Sequence, residues 1–186
     1  SKCNIVIVYD SSKKENAKLR TLLRHKKNVT LLSRFKKSGR GSAVLDGFKK
    51  ILEDKKIEYV FEMDSDLAHD PGEFDRFIKK TNNDRYDLII GSRYLPGGRI
   101  INISKDRTIL SRVINKFLYF WLGMKLSDHT SGFRLYKRRS IEYLVETGIK
   151  SKGFIALSEM AYLLFLKKFT ITEVPITWNF RIYGKS

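Results

Sequence analysis

The segment Tyr59-Val-Phe-Glu-Met-Asp-Ser-Asp66 is a short apolar run of strand-forming residues that ends in two aspartates separated by one serine. Successive strand residues point to opposite faces, so acids at i and i+2 at a strand end project the same way. Two carboxylates held side by side repel unless a cation joins them. Hard divalent ions such as Mg²⁺ are commonly held by one or two carboxylates together with phosphate oxygens of a substrate. Asp64 and Asp66 are therefore candidate ligands of an ion that handles a phosphorylated molecule. The competing reading makes them caps of the loop and the turn after it. Asp10 follows another apolar run, Asn4-Ile-Val-Ile-Val8, and either lines the same crevice or serves as a solvated turn acid.

Cations cluster at comparable positions. Arg93, in Gly91-Ser-Arg-Tyr94, follows an apolar run directly, and Lys105, Arg107 and Arg112 come after a Gly-Gly turn. Arginine makes two parallel hydrogen bonds to phosphate oxygens and keeps its charge. The loop Lys36-Lys-Ser-Gly-Arg-Gly41 offers backbone N–H groups and cations to an anion but lacks the spacing of a P-loop, and a solvated loop is the alternative. Asp128-His-Thr-Ser-Gly-Phe-Arg134 packs an acid, an imidazole, two hydroxyls and an arginine into seven residues. Neither His129 nor His69 has a second His or Cys at ligand spacing, so both read as exposed or hydrogen-bonded loop residues. Glu159 is either an inward acid or a helix-surface charge.

Alternating elements are needed to carry these groups. Strands are expected at 4–8, 29–32, 59–63 and 87–91, with helices at 14–23, 42–52 and from Asp70-Pro-Gly-Glu73 onward, which predicts a mostly parallel sheet in an α/β fold. In such sheets ligands sit beyond the carboxyl ends of the strands. Past residue 92 simple alternation stops. A long aromatic-rich helix is expected over 108–126, two more at 139–145 and 156–167, and an extended segment at 171–178 whose Pro175 suits a sheet edge. The apolar residues of the 108–126 helix cover more than one narrow stripe, as expected for core packing or for an interfacial membrane helix, and core packing is the expectation.

Length and composition bound the alternatives. The chain of 186 residues fits one domain; it is 42% hydrophobic and 12% aromatic, hence globular, and its one cysteine excludes an internal disulfide framework. Thirty-seven Lys and Arg against twenty Asp and Glu give a net charge of +17, which draws in polyanions or an anionic membrane surface. The longest strongly apolar stretch, Phe117 to Leu122, is too short to span a bilayer core of about 30 Å, so the chain as given reads as soluble or peripheral.

Taken together, Val8-Tyr-Asp-Ser-Ser12, Lys37-Ser-Gly-Arg-Gly-Ser-Ala43, Met63-Asp-Ser-Asp-Leu-Ala-His69, Gly91-Ser-Arg-Tyr-Leu-Pro-Gly-Gly98, Asp128-His-Thr-Ser-Gly-Phe-Arg134, Glu173-Val-Pro-Ile176 and Arg181-Ile-Tyr-Gly-Lys-Ser186 resemble the polyprenyl-phosphate branch of the inverting family 2 glycosyltransferases, most closely its dolichol-phosphate mannose synthases. The resemblance spans nearly the whole chain. It implies a GT-A fold over 1–186, a single catalytic domain. Asp64 and Asp66 would hold Mg²⁺ or Mn²⁺ against the diphosphate of a nucleotide sugar, and Asp10 would lie near the nucleoside. Arg93, Arg107 and Ser111 fall where the family binds the phosphate of its lipid acceptor. Arg181 and Lys185 match a basic segment that closes over the donor, and Arg134 counts among the substrate contacts. By the same resemblance Asp66, Arg93 and Arg107 are the catalytic candidates, and the implied activity is transfer of mannose from GDP-mannose to a polyprenyl (dolichol) phosphate. The implied location is the cytoplasmic face of a membrane: endoplasmic reticulum in a eukaryote, plasma membrane in a prokaryote.

Three departures stand beside the likeness. The chain opens on what matches the family's second strand, so the first strand, and any membrane-anchoring segment or subunit, is expected outside it. Tyr9 stands where a second acid is common, and Ala68 where a polar residue often supports the metal. The alternatives are transfer of glucose from UDP-glucose, an inactive relative, and a nucleic-acid-binding module. Nucleic acid is not expected as a partner, because acid pairs at strand ends repel it and no nucleic-acid-binding motif is present.

Overall fold

A computed structural model of the chain describes residues 3–36, 39–82, 84–151 and 153–180. The elements run β1 (Ile5–Asp10), α1 (Lys13–Leu23), β2 (Val29–Arg34), α2 (Arg40–Leu52), β3 (Tyr59–Glu62), a 3-10 turn (Pro71–Glu73), α3 (Phe74–Thr81), β4 (Leu88–Ser92), β5 (Arg99–Ile101), α4 (Lys105–Leu122), β6 (Arg134–Lys137), α5 (Arg138–Thr147), α6 (Ile155–Leu166), β7 (Ile171–Pro175) and β8 (Thr177–Asn179). The expected α/β alternation holds through β4. Local chemistry explains several boundaries. Ser12 and Glu15 form a reciprocal capping box at the start of α1, and Asp70 caps the 3-10 turn through Gly72 N.

β1 and β2 pair in parallel, while the central sheet has the order β3-β6-β4-β7. Its strand β4 is buried at every position, as a central strand covered on both faces should be. β7 lies at an edge, where Pro175 withholds no ladder hydrogen bond. β6 was not anticipated and enters antiparallel to both β3 and β4. The parallel arrangement predicted from alternation thus applies to β1–β2, β4–β7 and β5–β8, with β6 reversed between them. Helices α2, α5 and α6 close one core over Leu88, Ile90, Tyr136 and Leu157, and Phe77, Phe133, Ile89 and Ile176 form a second core with α3. Phe133 touches the rings of Phe61, Phe74, Phe77 and His69, so the second core reaches the carboxyl end of β3.

α4 departs from expectation twice. It stops at Leu122, because Gly123 takes the left-handed conformation at its end (φ 64°), a position favouring glycine. Its apolar residues also turn outward: Phe120 and Trp121 are 71% and 72% exposed, and Ile109, Val113 and Phe117 lie on the same open side. The buried residue of the helix is the polar Asn115, whose side chain accepts from His129 N at 2.7 Å and donates to Ser111 O at 2.9 Å. The aromatic stripe therefore does not pack into the core.

Candidate active site

A cavity of about 330 Å³ opens beyond the carboxyl ends of β3 and β4. Asp64 from the β3 loop, Arg93 just past β4, and Arg107 and Ser111 from the first turns of α4 all line it. The sheet places the first two because both strands end on the same edge, and the crossover through β5 brings α4 over them.

The acidic wall is compensated by a cation that sequence reasoning did not single out. Arg40, the first residue of α2, pairs with Asp64 through Nη1 and with Glu62 Oε1 through Nη2, the latter at 3.1 Å. Glu62 is buried and also accepts from Tyr136 Oη at 2.8 Å. Burial works against the Arg40 charge, yet the two acids hold its pKa above the usual arginine value. A Cβ at position 132 would come within 2.3 Å of Arg40 Nη2 and 3.2 Å of Asp64 Oδ2, so a side chain there would displace the guanidinium from its present position. The signal for Glu62 was present: Glu62, Asp64 and Asp66 recur at the strand period of two.

Asp66 accepts from Ala68 N at 3.1 Å and does not line the cavity itself. It acts on a residue that does. Burial lowers the pKa of His69 below the usual imidazole value, against the opposing charges of Asp64 and Asp66. Hard carboxylate oxygens at i and i+2 suit a divalent ion that completes its shell from phosphate and water, and no group of three or more His, Cys, Asp or Glu among the described residues forms a closed metal nest. Two carboxylate donors are of the type that holds a hard divalent ion together with phosphate oxygens.

The basic wall is rigid at one point and loose at another. Arg93 donates Nε and Nη2 to Asp128 at 2.6 and 2.7 Å, and Nη2 also to Thr130 Oγ1 at 2.7 Å. Asp128 is 0% exposed and lifts the pKa of Arg93 above its ordinary value despite burial. Glu173 on β7 in turn accepts from Ser127 N and Asp128 N at 2.7 and 2.9 Å, with burial pushing its own pKa up. Ser111 Oγ meets Tyr94 Oη at 2.6 Å. Arg107 is exposed, with Cζ 5.5 Å from the Phe180 ring.

One expected contact needs correction. Arg134 is 0% exposed and donates to the carbonyls of Ser131, Leu157 and His129 at 2.8, 2.7 and 3.0 Å, so it shapes the 128–134 loop instead of touching a substrate. Asp10 does not line the cavity; it pairs with Arg34 at 3.1 Å, which also reaches Ser42 on α2. His129 is buried rather than exposed, and neither ring nitrogen has a hydrogen-bond partner among the described residues. Glu159 accepts from Lys150 N and Ser151 N at 2.9 and 2.7 Å, bracing the loop before α6. Arg181 and Lys185, like Lys37 and Ser38 of the basic glycine loop, lie outside the described residues.

The family model described as glycosyl transferase family 2 matches residues 1–145. Over 158 residues the chain is 35% identical to a polyprenol monophosphomannose synthase of Mycolicibacterium smegmatis, covering 85% of this chain and 59% of the relative. Over 159 residues it is 33% identical to an undecaprenyl-phosphate mannosyltransferase of Micrococcus luteus, covering 86% and 64%. The chain thus spans about three fifths of the length of these curated relatives. Its fold matches that of glucosyl-3-phosphoglycerate synthase from Mycobacterium tuberculosis, crystallised with Mn²⁺, uridine diphosphate and phosphoglyceric acid, at a TM-score of 0.65 and 14% identity, covering 98% of this chain and 60% of that one. The chain belongs to glycosyl transferase family 2.

Proposed function

We propose that residues 1–186 form one catalytic unit that transfers mannose from GDP-mannose to a polyprenyl phosphate at a membrane surface, with inversion at the sugar. The observation that carries this reading is the shared cavity. A carboxylate suited to a divalent ion, and arginines suited to a phosphate, face a single space beyond the strand ends. The mannosyltransferase names of the two curated relatives support the sugar and the lipid class.

In this account Asp64 and Asp66 hold Mg²⁺ or Mn²⁺, the latter present in the structural relative with uridine diphosphate. Held by these two carboxylates, such an ion would supply charge neutralisation for the departing diphosphate. Arg107 and Ser111 bind the lipid phosphate, and Arg93, held by Asp128, fixes the wall against which it rests. A phosphate oxygen attacks the anomeric carbon, the bond from that carbon to the diphosphate breaks, and the electron pair leaves with the nucleoside diphosphate. The attacking phosphate is already anionic near neutral pH, so no side chain needs to remove a proton. Rate enhancement then comes from positioning and from cations around the leaving group.

The outward apolar side of α4 supports action at a membrane. Its exposed aromatic and aliphatic residues are flanked by the exposed Lys105, Arg107, Arg112 and Lys116, and the chain carries +17 overall. Apolar groups entering the headgroup layer between cations that meet anionic lipid is the physics of an in-plane helix. No helix among the described residues is long and apolar enough to cross a membrane.

The test is to incubate the full-length protein with Mg²⁺, radiolabelled GDP-mannose or UDP-glucose, and a polyprenyl phosphate. Label from GDP-mannose is expected in the lipid phase. Label only from UDP-glucose would replace the sugar and keep the rest, and none from either donor would overturn the reading.

A further inference from the structure

Arg40 pairs with Asp64, a carboxylate that lines the cavity, and its setting is specific. Its guanidinium spans two carboxylates, Glu62 and Asp64, lies against the backbone of Gly132 where no Cβ fits, and has Cζ 5.9 Å from the Phe154 ring. The two arms of this bridge differ. Glu62 is buried and anchored a second time by Tyr136, whereas Asp64 is partly open and faces the cavity. A divalent ion approaching Asp64 meets a like charge already seated on the same carboxylate, and like charges at such range repel strongly in a partly buried site.

We infer that Arg40 is a built-in counter-ion for Asp64, competing with the divalent cation for that carboxylate, so that metal binding opens the Arg40–Asp64 arm while the Arg40–Glu62 arm stays closed. This rests on the reading above that Asp64 and Asp66 take a divalent ion. Between catalytic cycles the guanidinium spares the acidic wall the cost of uncompensated charge. It also keeps metal affinity low until phosphate oxygens of a nucleoside diphosphate join the coordination. Arg40 is a positioning residue in this scheme, because it acts through Asp64.

The experiment is titration of the full-length protein with Mn²⁺ alone, and again with GDP, followed by the electron paramagnetic resonance of free Mn²⁺. It compares wild type with Arg40→Gln and with the double variant Arg40→Gln/Glu62→Gln. The double variant leaves no buried acid without a partner, so it decides the matter if the single variant fails to fold. Removing the competitor is expected to tighten binding of Mn²⁺ alone by roughly tenfold, the factor that about 1.4 kcal/mol represents. The advantage given by GDP should shrink correspondingly. Unchanged or weaker Mn²⁺ binding in the folded variants, with wild type binding Mn²⁺ in the presence of GDP, would overturn the role of Arg40 and leave the proposed function standing. No Mn²⁺ binding by any of these proteins, with or without GDP, would overturn both.

Discussion

Arg93 and Arg107 line one cavity in opposite states. Arg93 is fixed by both oxygens of a fully buried aspartate, by Thr130 and, one layer back, by Glu173 on β7. Arg107 stands exposed on the first turns of a helix whose outer side faces solvent and whose hold on the fold runs through Asn115. One half of the site is built before any ligand arrives; the other is free to adjust to one. Under the proposed function, that division gives the acceptor phosphate a preset inner wall at Arg93 and an adjustable outer contact at Arg107.

Breaking the fixed half should cost most. In Asp128→Ala the largely enclosed Arg93 loses its carboxylate, and removal of one member of a buried ion pair costs about 3–5 kcal/mol. Chemical denaturation should show that loss together with failure of transfer; a variant as stable as wild type would mean that Arg93 is solvated and the comparison false. The free half should behave otherwise. Trp121→Ser, alone or with Phe120→Ser, should leave stability within about 0.5 kcal/mol. Flotation with anionic vesicles should nevertheless fall roughly tenfold, since burying one such side chain is worth about 1.5–3 kcal/mol. Undiminished flotation would remove α4 from the membrane contact. Arg107→Ala should raise KM for the lipid phosphate by roughly tenfold, about 1.4 kcal/mol, with KM for the nucleotide sugar unchanged. An equal loss for both substrates would make Arg107 a general electrostatic contributor.

The smallest effect concerns pH. Burial lowers the pKa of His129 below the usual imidazole value, with Asp128 opposing and Arg134 adding to the shift. The unfolded chain then binds a proton that the folded chain does not. Stability is complete above the unfolded value and is lost as pH falls from there through the lower folded pKa. Melting temperature should decline between pH 7 and pH 5, and His129→Gln should flatten that decline; an unaltered slope would assign it to other groups.

The strand ends that carry Asp64 and Arg93 were legible because β3 and β4 are apolar runs broken by polar residues, and because two acids at period two stand out against such runs. Arg134 misled for a physical reason. A charged residue in a dense polar loop reads as a ligand contact, but three backbone carbonyls satisfy it inside the fold, and the same charge hid strand β6. Arg40 was missed for the converse reason: a basic, glycine-containing loop looks solvated until tertiary structure brings it to acids 22 and 24 residues away. The end of α4 was set by Gly123, although apolar residues continue beyond it to Leu126. Whether that helix faced core or solvent could not follow from its periodicity, since an apolar stripe marks a buried face equally well in protein or in lipid.

The central claim is that Asp64 and Asp66 bind a divalent ion shared with a nucleoside diphosphate. Anomalous diffraction at the manganese edge, from crystals soaked with MnCl₂ and GDP, tests it most directly. The account predicts one strong peak between the two carboxylates and next to diphosphate oxygens. A fully occupied nucleotide with no peak at these aspartates would contradict it.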